Sequence, residues 1–205
     1  MDSILTRPIK EIISESIQKG MSYSEYRELV KTLVENKSTT GNDQSEAMVN
    51  YTVLSNRRMK RWDKTIKLSD EIKETISNID VNQAWLLITE SWCGDAAHVV
   101  PVINAVAELN SGIDLKLVLR DENEALMDNF LTNGGRSIPK LIAIDNKTGE
   151  VINTYGPRPS TATQMVDDFK IEHGSLTADF KEDLQRWYNA DKGQTTVDDL
   201  VRLLL

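Results

Sequence analysis

Apolar residues recur at helical spacing through the first third of the chain. Ile9, Ile12, Ile13 and Ile17, then Tyr26, Leu29, Val30 and Leu33, follow the i, i+3, i+4, i+7 rhythm of a one-sided apolar stripe. The pattern predicts helices from Ile4 to about Ile79. Ser22 with Glu25 writes a capping box for the second of them. The polar stretch 38–42, which contains Gly41, predicts a turn. A third helix should carry Ala47, Met48, Tyr51 and Leu54, and a fourth, over 69–78, should bury Leu68, Ile72, Ile76 and Ile79.

The rhythm changes at Ala84. A short continuous apolar run, 84–89, reads as a buried strand, and a mostly apolar helix follows it. Residues 113–119 predict a second strand and 122–131 a second helix, so the order is β-α-β-α. The stretches 140–144 and 151–155, joined by the turn 146–149, predict an antiparallel hairpin, and a helix should follow over 160–171. Such an α/β sheet is mixed: it starts with two parallel strands joined by a crossover, ends with the hairpin, and has helices on both faces. Beyond His173 two more helices are expected. Phe180, Leu184 and Trp187 share a face of one; Thr196 with Asp199 should cap the other, which carries Leu200, Leu203 and Leu204. The chain thus divides into an N-terminal helical extension (1–79), an α/β domain (80–174) and a C-terminal helical extension (175–205).

Charge and composition narrow the function. A net charge of −8 over 205 residues disfavours nucleic acid and anionic membrane surfaces as partners. No apolar run approaches the ~18 residues of a membrane span, and the N-terminus lacks an apolar signal core. One cysteine excludes an internal disulfide and points to a cytoplasmic protein held together by packing. Arg57, Arg58, Lys60, Arg61 and Lys64 surround Trp62, but on a helix they spread around the axis. They read as a solvated face paired with acidic neighbours rather than a nucleic-acid patch.

The lone thiol is the candidate chemistry. Cys93 lies in Trp92-Cys93-Gly94-Asp95-Ala96, where a strand gives way to a helix, and the free N–H groups of a first helical turn can stabilise a thiolate. Pro101 interrupts that helix, and Arg136-Ser137-Ile138-Pro139 directly precedes the third strand. An X-Pro bond in that position can be cis at a cost of only about 0.5–1 kcal/mol.

From Val81 to Glu172 the chain resembles the thioredoxin superfamily. Trp92-Cys93-Gly94 looks like the start of its active-site motif, Pro101 matches the proline that kinks its first helix, and Ser137-Ile138-Pro139 resembles its cis-proline loop. The resemblance implies a thioredoxin-like fold. It also implies that Cys93 attacks a disulfide while the backbone at Ile138, beside Pro139, holds an extended substrate, with Trp92, Gly94 and Asp95 lining the site. Three departures matter: the family's resolving cysteine falls at Ala96, its buried acid falls at Leu87, and the proline between its two cysteines is replaced by Asp95, whose charge favours the helix N-terminus but disfavours a neighbouring thiolate. Dithiol turnover is excluded, and a monothiol oxidoreductase is expected, whose mixed disulfide with a protein substrate is resolved by an external low-molecular-weight thiol. The alternative is a non-catalytic binding module that keeps the groove without redox turnover.

The remaining polar residues carry weaker expectations. Arg136 and Arg158 are candidates to lower the Cys93 pKa. His98, five residues after Cys93, reads as a solvated or capping histidine, because that offset places the two on different sides of a helix; no metal and no cofactor are expected. Glu90 should point to water, since burying an unpaired carboxylate is costly.

Overall fold

The computed structural model describes residues 7–205, so the helical reading of Ile4 falls outside the described residues. Nine α-helices and four strands follow one another among them. The four N-terminal helices are α1 (Ile9–Lys19), α2 (Tyr23–Glu35), α3 (Glu46–Thr65) and α4 (Asp70–Asn78). The capping box of α2 forms as its sequence predicts: Ser22 Oγ accepts from the Glu25 N–H, and the Glu25 carboxylate accepts from the Ser22 N–H.

The sheet consists of β1 (Gln83–Thr89), β2 (Ile113–Leu119), β3 (Lys140–Asp145) and β4 (Val151–Tyr155) in the order β2-β1-β3-β4. β1 runs parallel to β2 and antiparallel to β3, and β4 returns antiparallel on β3. β1 is buried at every residue, which explains why its sequence is a continuous apolar run rather than an alternation. The connecting helix α5 (Ala96–Ala107) is buried along most of its length and contacts β2, α3 and α9 (Gln194–Leu204). One continuous core takes in Ile13 and Tyr26 from the first helices, the sheet, and Leu184 and Leu200 from the last two. The helical extensions therefore close the core of the α/β unit.

Two local expectations are corrected. The helix expected over 122–131 is a single turn, α6 (Glu124–Met127), preceded by a 3-10 turn at Arg120–Glu122. Thr196 and Asp199 do not cap α9, which starts two residues earlier, after Gly193. The Gly193 φ of 81° suits glycine, and a Cβ there would sit 2.9 Å from Val102 Cγ2. Asp199 instead caps α7 (Ser160–His173), accepting from the Ser160 N–H at 2.7 Å and its hydroxyl at 2.8 Å. On α8 (Ala178–Asp191), Phe180 and Leu184 are buried and Trp187, partly covered, packs against the same core, as expected, with Tyr188 buried beside them.

Candidate functional site

The loop after β1 turns sharply because its polar atoms are fixed from the N-terminal extension. Ser91 Oγ meets Thr40 Oγ1 at 3.0 Å and Thr52 Oγ1 at 2.9 Å, the Ser91 N–H donates to Thr40 Oγ1 at 2.9 Å, and all three residues are buried. Ser55 on α3 adds a hydrogen bond to the Cys93 carbonyl at 3.4 Å. The segment before the motif is thus anchored by side chains some forty to fifty residues upstream. A buried, mutually satisfied hydroxyl cluster of this kind favours one geometry over looser alternatives.

Cys93 stands at the N-terminal end of α5. Its thiol donates to the Ile138 carbonyl at 3.3 Å, and the Ala96 N–H approaches the sulfur at 3.4 Å. The Ile138–Pro139 bond is cis. Gly156, with φ 105°, brings the next loop against this turn: a Cβ there would lie 2.2 Å from the Pro139 carbonyl oxygen, so only glycine permits the approach. That approach delivers Arg158 to the motif.

Arg158 does not act on the sulfur alone. Its guanidinium pairs with Asp95 at 2.7 Å, and the Tyr188 hydroxyl donates to the other Asp95 oxygen at 3.0 Å. Burial pushes the Asp95 carboxyl up, opposed by Arg158 and Tyr188. For Cys93, burial raises the thiol pKa first and the Asp95 charge second. The Ala96 and Asp95 N–H groups and Arg158 lower it by less, and the result is a thiol pushed up to about 12. The free protein therefore holds the sulfur as a neutral thiol at pH 7.

Although Cys93 is only 8% exposed, it lines an open groove of about 750 Å³. Trp92, Gly94 and Asp95 share the floor with it, α3 supplies one wall and α8 the other. Trp92 is half-buried, with the Arg120 guanidinium 4.9 Å from its ring centroid. Ile138, 7% exposed, reaches the site through its carbonyl, and Pro139 is buried behind it. Arg136 is drawn elsewhere: it makes a two-point pair with Asp128 at 2.6 and 2.8 Å and approaches Glu124 at 3.5 Å. Its charge is thus spent on carboxylates, and it is no thiolate stabiliser here.

Two further expectations are reversed by burial. His98 is 2% exposed rather than solvated: Nδ1 accepts from Trp62 Nε1 at 3.0 Å, Nε2 faces Gln185 Oε1 at 2.8 Å, and the ring stacks on Tyr188 at 4.4 Å. It bridges α3 to α8 beneath the groove, and burial lowers its pKa to about 4. Glu90 is 1% exposed. One carboxyl oxygen accepts from the Asp121 N–H at 2.9 Å, the other has no partner, and burial raises its pKa. Trp62 is buried too. The cations around it, Arg57, Lys60, Arg61 and Lys64, are exposed as their sequence pattern suggests, but Arg61 lies over the Trp62 ring and donates to Asn189 at 2.5 Å, joining α3 to α8 through an amide and not an acidic neighbour.

Among the described residues, no three His, Cys, Asp or Glu side chains come together as a metal set. No helix among them is long and apolar enough to cross a membrane.

Comparison with known proteins agrees with this geometry. The family profile described as Thioredoxin matches residues 41–170, more than half of the chain. The match begins in the loop before α3, so it takes in two helices assigned above to the N-terminal extension. A protein of unknown function from Pseudomonas aeruginosa, PA1234, superposes with a TM-score of 0.66 at 13% identity, covering 93% of this chain and 95% of its own. A crystallised HIV epitope-scaffold superposes with a TM-score of 0.60 at 14% identity, covering 93% of this chain and 96% of its own. Both likenesses include most of the helical extensions. No curated protein matches the chain by sequence. With its β2-β1-β3-β4 sheet and the thiol facing the cis-proline turn, the chain belongs to the thioredoxin family, in a form whose one cysteine has Ala96 where a resolving partner would stand.

Proposed function

We propose that the protein exchanges thiols and disulfides through Cys93 alone. The observation that carries this reading is the position of the sulfur: on the floor of an open groove, at the start of α5, 3.3 Å from the carbonyl of the cis-proline turn. In the first step the Cys93 thiol loses its proton to groove water and the thiolate attacks a substrate disulfide. A Cys93–substrate S–S bond forms, the old S–S bond breaks, and the leaving sulfur departs as a thiolate. An external thiolate then attacks the mixed disulfide, joins the substrate sulfur and returns Cys93 as thiolate. Two electrons move in each exchange, and no second protein sulfur is needed. A lone thiol suits the reducing cytoplasm, where an external thiol is abundant.

A specific observation favours a second reading, a binding module without turnover: the thiol is held neutral, and the Asp95 carboxylate beside it opposes ionisation. Mass spectrometry after incubation with glutathione disulfide separates the two. The redox reading expects one glutathione adduct per native chain, reversed by added thiol and missing in Cys93→Ser. A native chain that stays unmodified while its unfolded form reacts supports the binding module instead.

A further inference from the structure

The groove carries a charge arrangement that thiol chemistry does not use. Arg58 projects from α3 over Gly94, its guanidinium 3.6 Å from where a Cβ at that glycine would sit. It is half-buried, and among the described residues no carboxylate lies within ion-pair distance of it. The acid whose charge reaches it, Asp95, is already held by Arg158 and Tyr188. On the opposite wall, Lys181 of α8 is likewise without an ion pair among the described residues, while its neighbour Glu182 is engaged by Arg186 at 2.9 Å. In a chain with 32 acidic and 24 basic side chains, the lining of this groove has the opposite balance, with Arg58, Arg158 and Lys181 against Asp95 and Glu182, and both acids are already engaged by arginines.

The same walls are apolar between these cations. Tyr51 and Leu54, 55% and 39% exposed, extend along α3, and Leu184 faces the groove from α8. A volume of about 750 Å³ falls within the ~300–1,000 Å³ typical of small-molecule sites, where apolar walls bury the ligand and a few polar groups orient it. We propose that this groove binds a small organic anion with an apolar body. Arg58 takes the anionic group, Lys181 reinforces it across the opening, and Tyr51, Leu54 and Leu184 cover the apolar part. A partly desolvated guanidinium gains more from such a partner than an exposed one, because water screens the pair less. The site shares its groove with Cys93 but does not need the sulfur, so binding and thiol exchange can fail separately.

Calorimetric titration of the full chain with decanoate tests this, with decyltrimethylammonium as the cation of equal chain length. Saturable binding of one decanoate per chain is expected, at least about tenfold tighter than the cation. Arg58→Gln should weaken decanoate at least tenfold. Leu54→Asp, at a position 39% exposed, should also weaken it, and Cys93→Ser should bind like wild type. Equal affinity for the two amphiphiles, no saturable binding of decanoate, or unchanged affinity in a folded Arg58→Gln variant would each overturn the proposal.

Discussion

Asp95→Asn is expected to speed alkylation of Cys93 at pH 7 by at least about tenfold, one pKa unit in the thiol being a tenfold change in thiolate fraction. The Asp95 carboxylate raises the Cys93 pKa directly, and it also occupies Arg158, the guanidinium that pulls the other way. Asparagine keeps the size of the side chain and an oxygen for the Tyr188 hydroxyl, so the groove keeps its shape while both charge effects turn in favour of the thiolate. The same change leaves Arg158, 22% exposed, without its partner, so a lower melting temperature should accompany the faster thiol. Iodoacetamide rates measured from pH 6 to 10 on wild type, Asp95→Asn and Arg158→Gln give the check. The order expected is Asp95→Asn fastest and Arg158→Gln slowest. Equal rates for Asp95→Asn and wild type would show that Asp95 does not control the sulfur.

The second large effect is on stability in acid. His98 is neutral in the fold, with its pKa lowered from 6.5 to about 4 by burial. Between those values the unfolded chain binds a proton that the native chain does not, so stability is complete above about pH 6.5 and is lost as pH falls towards 4. At roughly 1.4 kcal/mol per unit, a depression of this size corresponds to about 3 kcal/mol. The loss should appear first at the α3–α8 junction, since protonated His98 could no longer accept from Trp62 Nε1. His98→Phe keeps a ring against Tyr188 but leaves the Trp62 N–H and Gln185 unpaired. It should therefore be less stable than wild type at pH 7 yet lose less on acidification. Urea melts of both proteins at pH 7 and pH 4.5 measure this. Parallel losses in the two would mean that other groups dominate. Glu90 works in the opposite sense: with its pKa raised by burial, its contribution is present below about 4.5 and declines as pH rises through the folded value.

Much of the architecture was legible because it rests on local pattern. The continuous apolar run of β1, the stripes of α1 and α2, and the Ser22–Glu25 box each specify their element within one or two turns. The short α6 was not. Asn123 and Asn129 hydrogen-bond the carbonyls of Leu119 and Ala125 with their side chains, a local competition with regular helix that periodicity does not register. The motif positions Cys93, Ile138 and Pro139 could be named from their resemblance to the thioredoxin pattern, but the state of the thiol could not. It depends on Arg158 and Tyr188, 63 and 93 residues away from Asp95 in the chain. Glu90 and His98 were misplaced for the same reason. A polar residue reads as exposed unless its partners are known, and theirs, Asp121 for Glu90 and Trp62 and Gln185 for His98, lie at least 31 residues distant. Arg58 looked like one of several solvated cations. Only the folded chain distinguishes it from Arg61, which Asn189 and Trp62 occupy.

Cys93 is proposed to rest as a neutral thiol and, once ionised, to attack a disulfide that enters the groove. Titration of the native chain with 5,5′-dithiobis(2-nitrobenzoate) reads this most directly, because each mixed disulfide formed releases one coloured thiolate. One equivalent per chain is predicted, slow at pH 7, faster as pH rises towards 10, and lost in Cys93→Ser. Release that appears only once the protein is unfolded would contradict it.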